Sequence, residues 1–349
     1  MIVDFNPDYR NIWKAATNRT PDRIPLYEHI ISESIMEEIL NKKFAELLKG
    51  DELEQREYIR NYIYFYKSMG YDTVSFERLI TAVMPGSGAL YSGKEGVIKN
   101  RKDFAHYPWN DIQSKFFAQN DHLYRYLAEE MPEGMKAVGG PGNGVFECVQ
   151  DLVGFESLCY IRGENPTLYS DLFSKMGEVL IGIWKEFLSR HSDCYVVCRF
   201  GDDLGFKTST LLPPKDIKEQ IAPIYKKIVD LVHSYNIPFL LHCCGNIFNI
   251  MDTLIEEVNI DAKHSNEDTI APFSVWLKKY GHKIGNFGGV DTNVLYEQEE
   301  KEIKNYVRDI LELSQNNRGV AIGSGNSIPD YIPAEKYLYM VETVRKYRN

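Results

Sequence analysis

Residues 216–246 read DIKEQIAPIYKKIVDLVHSYNIPFLLHCCGN, and the two halves of this stretch carry two different periods. In the first half, Ile217, Ile221, Ile224, Ile228 and Leu231 recur every three or four residues, with lysines and acids on the other side. That spacing lays one apolar stripe along a helix over Asp216–Ser234. In the second half, Pro238–His242 is a short apolar run that stops at a polar turn containing Gly245. Such a run fits a parallel strand covered on both faces. Helix followed by buried strand is the unit of an α/β fold, and the rest of the chain decides how often it repeats.

Seven further runs read as strands: Arg23–Glu28, Thr73–Phe76, Lys136–Gly140, Tyr195–Phe200, Ala262–His264, Lys283–Phe287 and Gly319–Ile322. Helical stripes lie between them, as in Leu168–Leu188, Ile250–Val258 and Glu297–Leu313. Eight strands alternating with helices predict a (β/α)₈ TIM-type barrel, with an open doubly wound sheet as the competitor. The expectation is one barrel domain over residues 1–349. Residues 1–20 read as a helical extension able to plug the barrel base, and 29–69 are also helical. Residues 80–135 form a long insertion after the second strand. Its turns at Pro85–Gly88 and Ser92-Gly93 suggest a loop over the mouth, followed by a helix over Asp121–Glu130.

Composition narrows the function class. The chain of 349 residues is 44% hydrophobic and 26% charged, as expected of a globular protein with a core that needs no staples. Forty basic against fifty acidic residues give a net charge of −10, with no basic block, which argues against a nucleic-acid partner. No signal-like or membrane-length apolar run is present, so the expectation is a cytoplasmic protein without membrane contact. Six irregularly spaced cysteines do not make a secreted disulfide framework; they read as reduced thiols, which can bind metal. Nothing here sets the oligomeric state, a homodimer included.

Barrel enzymes place their chemistry where strands end at the C-terminal face. There the strongest local signal is His242-Cys243-Cys244-Gly245. Continued strand alternation sends His242 and Cys244 one way and Cys243 the other, offering an imidazole and a thiolate to one space. Those are preferred zinc ligands. The bland alternative is a buried histidine among small core cysteines. Asp202 and Asp203 follow another strand and are expected to meet substrate, Asp203 as the acid or base; a turn or helix cap is the rival reading. Glu28 and His29 end the first strand, Glu28 as a further acid or base. His264, Asp291 and Ser324 complete the candidate substrate-binding set with Asn143, although His264 could be structural and Asp291 could cap a helix. The turn around Ser324 could bind an anion through its backbone N–H groups.

These residues carry a resemblance. Arg23–Glu28, Asn143-Gly-Val-Phe-Glu147 with Gly154-Phe-Glu156, Asp202–Gly205 with Leu212-Pro-Pro214, His242–Gly245 and Gly323–Pro329 together resemble the uroporphyrinogen decarboxylase superfamily, over nearly the whole chain. The resemblance implies a (β/α)₈ barrel with its site at the mouth. It also implies one of two activities. True decarboxylases work without metal on a porphyrinogen bearing many carboxylates, and carry an arginine-rich segment after the first strand. Here residues 27–35 contain no Arg or Lys and two acids, which makes a poor entrance for a polyanion. The other branch comprises methyltransferases that work with corrinoid proteins, including methylcobalamin:coenzyme M enzymes and O-demethylase-like members. Their zinc is held by His-x-Cys and a distant Cys. His242 and Cys244 match the pair, but the distant position is Ser324. The implied reading is a zinc-assisted methyltransferase acting between a small methyl donor or acceptor and a corrinoid carried by a partner protein, with Glu28 expected as the third zinc ligand. Loss of the third sulfur leans the substrate toward methyl ethers. The rivals are a metal-free carboxy-lyase and a non-catalytic corrinoid- or tetrapyrrole-binding barrel.

Overall fold

The computed structural model describes residues 5–348. Its centre is a curled, all-parallel sheet of seven strands. They are β1 (Thr73–Arg78), β2 (Lys136–Pro141), β3 (Tyr195–Gly201), β4 (Phe239–His242), β5 (Ala262–His264), β6 (Gly285–Val290) and β7 (Val320–Ser324). Each pairs with the next in chain order, as in a TIM-type barrel, and helices cover the outside.

The eighth expected strand, Arg23–Glu28, is reduced to a single parallel bridge between Leu26 and Ile322. The Tyr27 N–H donates to the Ile322 carbonyl at 2.9 Å, and the Ile322 N–H donates to the Pro25 carbonyl at 2.9 Å. Pro25 has no N–H to extend a ladder. Toward β1 the segment is held by a side chain instead: the Ser75 hydroxyl donates to the Glu28 carbonyl. The approach to β7 is close enough to demand glycine. A Cβ on Gly323 would lie 1.7 Å from the Tyr27 carbonyl oxygen.

The expected N-terminal plug is present as the helix Arg10–Ala16. Ile12, Ala15 and Ala16 are fully buried against Val197, Leu240 and Phe287 inside the sheet, and so close the base. Of the expected extension, residues 1–4 lie outside the described residues. The helix read over Asp216–Ser234 begins as a short turn at Pro214–Asp216, continues as a π-helical turn over Ile217–Ile221 and becomes regular at Ala222–His233. Pro223 lies inside that stretch. It removes one helical donor and accounts for the break. Similarly, the expected helix over Glu297–Leu313 divides into Thr292–Glu297 and Glu300–Gln315. In the insertion, the helix starts earlier than expected and runs Asp111–Glu130. The glycine-rich loop before it is tied down at Asp151, whose Oδ1 accepts from the Gly88 and Leu90 N–H groups at 3.0 Å each. Among the described residues no helix is long and apolar enough to cross a membrane.

Candidate metal and substrate site

Strand register assembles the site. His242 on β4 is level with His264 on β5. The two rings meet with Nδ1 to Nδ1 at 2.8 Å. His29, just past the Pro25–Glu28 segment, stacks on His242 with ring centroids 3.7 Å apart and planes 8° from parallel. Burial, then the neighbouring histidine and the Arg199 charge, hold His242 and His29 well below the ordinary imidazole range. Burial takes His264 down to about 3. All three rings are therefore neutral at physiological pH.

Cys244 lies on the same side as His242, as alternation predicts. Its Sγ is 3.4 Å from His242 Nε2. Cys243 points the other way, fully buried, where the Leu204 N–H approaches its sulfur at 3.4 Å. Asp203, after β3, accepts the Cys244 N–H at 2.9 Å and brings an oxygen to 4.0 Å from His242 Nε2. Burial first, then the Asp203 charge, push the Cys244 thiol well above its usual range. Among the described residues two groups offer ligand atoms all within 4.8 Å of one another: Asp203, His242 and Cys244, and the triad His29, His242 and His264. The first provides one oxygen, one nitrogen and one sulfur. That donor set suits zinc and leaves a fourth position open for substrate.

Glu28, expected as the third ligand, belongs to neither group. It is 1% exposed, and its carboxyl accepts the Ser324 N–H at 3.0 and 3.2 Å and contacts the Ser324 hydroxyl. The same hydroxyl also contacts the Asn326 carbonyl. A hydroxyl has one proton to give, so it serves both oxygens only if the carboxyl brings a proton of its own. Burial, opposed by the Ser324 hydrogen bonds, pushes Glu28 up to about 8, in keeping with a neutral acid. The oxygen donor beside His242 and Cys244 is thus Asp203, and Ser324 holds Glu28.

Other candidates are occupied within the fold. Asp202 is fully buried and accepts the Phe146 and Glu147 N–H groups at 2.9 and 2.8 Å and the Tyr225 hydroxyl. It thereby anchors the start of the helix Val145–Val153, and both its oxygens are used there. Asp291 caps the helix Thr292–Glu297 through the Asn293 N–H at 2.7 Å and also takes the Asp268 N–H at 2.6 Å. Asn143 ties Thr81 to Glu147. Two site residues escaped sequence reading. Asn326 donates from Nδ2 to Cys244 Sγ at 3.3 Å. Arg199, fully buried on β3, is paired with Glu77 at 2.7 Å and bonded to the Tyr27 hydroxyl at 2.7 Å. A lone arginine inside an apolar strand was its available signal, since buried charges are paired for a purpose.

A cavity of about 350 Å³ opens beside these residues, lined by His29, Tyr58, Tyr62, Glu77, Arg78 and Arg199 among others. His29 Nδ1, buried, has no hydrogen-bond partner among the described residues.

Comparison with known proteins agrees with this architecture. A solved methyltransferase from Methanosarcina mazei superposes with a TM-score of 0.71 at 14% identity, covering 99% of this chain and all of the other. A structure titled as a putative vitamin-B12 independent methionine synthase from Listeria monocytogenes gives a TM-score of 0.52 at 12% identity, over 93% of this chain and 99% of the other. At such identities the likeness is one of fold. In sequence, a methionine synthase from Methanocaldococcus jannaschii is 33% identical over 95 residues, which is 27% of this chain and 30% of that protein. The family model described as uroporphyrinogen decarboxylase (URO-D) matches residues 10–347, from the plug helix to the last helix, and the chain belongs to that family.

Proposed function

We propose that this protein is a methyltransferase that moves a methyl group between a small substrate and a corrinoid carried by a separate protein, with a zinc ion held by His242, Cys244 and Asp203. The observation that carries the reading is the convergence of His242 Nε2, Cys244 Sγ and an Asp203 oxygen within 4.8 Å where β3 and β4 end. The fold likeness to a methyltransferase and the partial sequence match to a methionine synthase support it. Zinc there supplies a Lewis acid that stabilises the anion left on substrate oxygen or sulfur when the methyl group departs.

The chain's own groups have separable tasks. Cys244 would hold zinc as a thiolate, its proton released to solvent, and Asn326, whose Nδ2 already donates to the Cys244 sulfur, would stabilise that charge. Asp203 orients the Cys244 backbone while its half-exposed carboxylate faces the mouth. His29, stacked on His242, forms part of the cavity wall that faces the substrate. The cavity sets Glu77 against Arg199, and its lining also holds one further acid, Glu33, and one further base, Arg78, so it has little net attraction for a polycarboxylate. That balance disfavours the decarboxylase reading.

Zinc analysis of wild type, His242→Ala and Cys244→Ala tests the proposal. The expected result is close to one zinc per wild-type chain and little in either variant. Equal zinc in all three would sink the ligand assignment. Methyl transfer from a panel of methyl ethers and thioethers to a corrinoid protein then tests the activity.

A further inference from the structure

We infer that His264 and the Ser324 carbonyl select the tautomer of His242, so that its Nε2 carries a bare lone pair aimed at Cys244 and Asp203 before any metal arrives. This rests on the proposed metal-binding role of His242.

The chain of reasoning starts at an atom that can only accept. His264 Nε2 lies 2.9 Å from the Ser324 carbonyl oxygen. A carbonyl has no proton, so His264 Nε2 carries one. A neutral imidazole has one N–H, so His264 Nδ1 is bare. His242 Nδ1 faces that bare nitrogen at 2.8 Å and must therefore carry the proton. His242 Nε2 is then left as the acceptor. It faces Cys244 Sγ at 3.4 Å, where it accepts the thiol proton that a metal would displace. The opposite tautomer would point an N–H at the metal position and leave two bare nitrogens in contact at 2.8 Å.

The arrangement is built rather than incidental. His242 and His264 are register partners on adjacent strands, and both are buried. Gly288 lies beside them with φ +105°, and a Cβ there would come 2.9 Å from the Ser324 oxygen and 3.1 Å from His264 Cδ2. Only glycine leaves the His264–Ser324 bond undisturbed. Ser324 itself is held from behind by Glu28. The residue at 324 thus acts on His242 through its backbone, whatever its side chain. His264 is accordingly a positioning residue, one remove from the metal, of the kind that fixes ring orientation and basicity in metal sites.

Two measurements on the full-length protein test this. In metal-free protein with ring-¹⁵N histidine, two-bond ¹H–¹⁵N spectra report the tautomer, with His242 assigned by its loss in His242→Ala. The expected signature is a protonated Nδ1 and bare Nε2. A protonated Nε2 overturns the inference whether or not metal binds. Second, zinc dissociation constants are measured for wild type, His264→Phe and His264→Asn. Asn can place an oxygen near the former Nδ1 and accept from His242, whereas Phe cannot. The expectation is about ten- to a hundredfold weaker zinc binding for His264→Phe, with most of the affinity kept in His264→Asn. Equal affinity in wild type and His264→Phe overturns the positioning role. No zinc binding by wild type overturns the metal reading instead, and the tautomer spectrum still decides this one.

Discussion

Two carboxyl groups on either side of the His242–His264 pair behave in opposite ways. Asp203, on the rim where β3 and β4 end, has a side chain 45% exposed and an oxygen 4.0 Å from His242. Glu28, in the seam between the N-terminal segment and β7, is 1% exposed and bonded to Ser324. Each follows an apolar run, so one dimension does not separate them. Three dimensions do: solvent and a thiol surround the first, and backbone surrounds the second. The rim carboxylate stays available for chemistry, whereas the seam carboxyl is committed to holding the barrel closed.

The contrast can be broken most severely by pH. A carboxyl raised from 4.5 to about 8 keeps its proton in the folded chain while the unfolded chain releases it. The Glu28 contribution to stability therefore falls as pH rises from about 4.5 to about 8, and is level beyond. Glu28→Gln mimics the neutral acid and removes that dependence. Denaturation curves should show wild type losing roughly 5 kcal/mol relative to Glu28→Gln across this window. Parallel pH profiles for the two proteins would mean that Glu28 is an ordinary ionised acid.

Next in size is the exchange of ligand roles. Asp203→Asn should weaken zinc binding by about tenfold or more, about 1.4 kcal/mol at the least, while Glu28→Gln leaves it unchanged. The reverse pattern would restore Glu28 as third ligand. The smallest effect is expected from Ser324→Cys, which supplies the third sulfur that the resemblance to corrinoid-dependent methyltransferases implies at this position. The Ser324 hydroxyl faces Glu28 and the Asn326 carbonyl. A thiol is a weaker donor there, so a stability loss of about 1 kcal/mol is expected, with zinc affinity unaltered. Tighter zinc binding in this variant would show that position 324 reaches the metal after all.

Much of the frame was legible along the chain. Seven of the eight expected runs became strands, with ends shifted by three residues or fewer, because a strand buried on both faces must be continuously apolar. The exceptions have local causes: Pro25 denied Arg23–Glu28 a ladder, and Pro223 interrupted the helix leading into β4. The site was legible in part. His242 and Cys244 came together through alternation over two residues, which persists just past the last residue of β4. Asp202 and Asp291 look the same in sequence as a substrate-facing acid would, yet their oxygens close helix starts. Which acid does which depends on what backbone approaches it.

By itself, then, the sequence determined the alternation of strands and helices, the polar strand ends, and the sharing of one side by His242 and Cys244. Each follows from periods of two or 3.6 residues, which the local backbone imposes. Only the tertiary structure decided that Asp203 rather than Glu28 stands beside them, that Ser324 takes His264 on its carbonyl and Glu28 on its N–H, and which nitrogen of His242 is bare. Those relations join residues as far apart as 28 and 324. They depend on strand register and on how closely two backbones approach, and no local period encodes either.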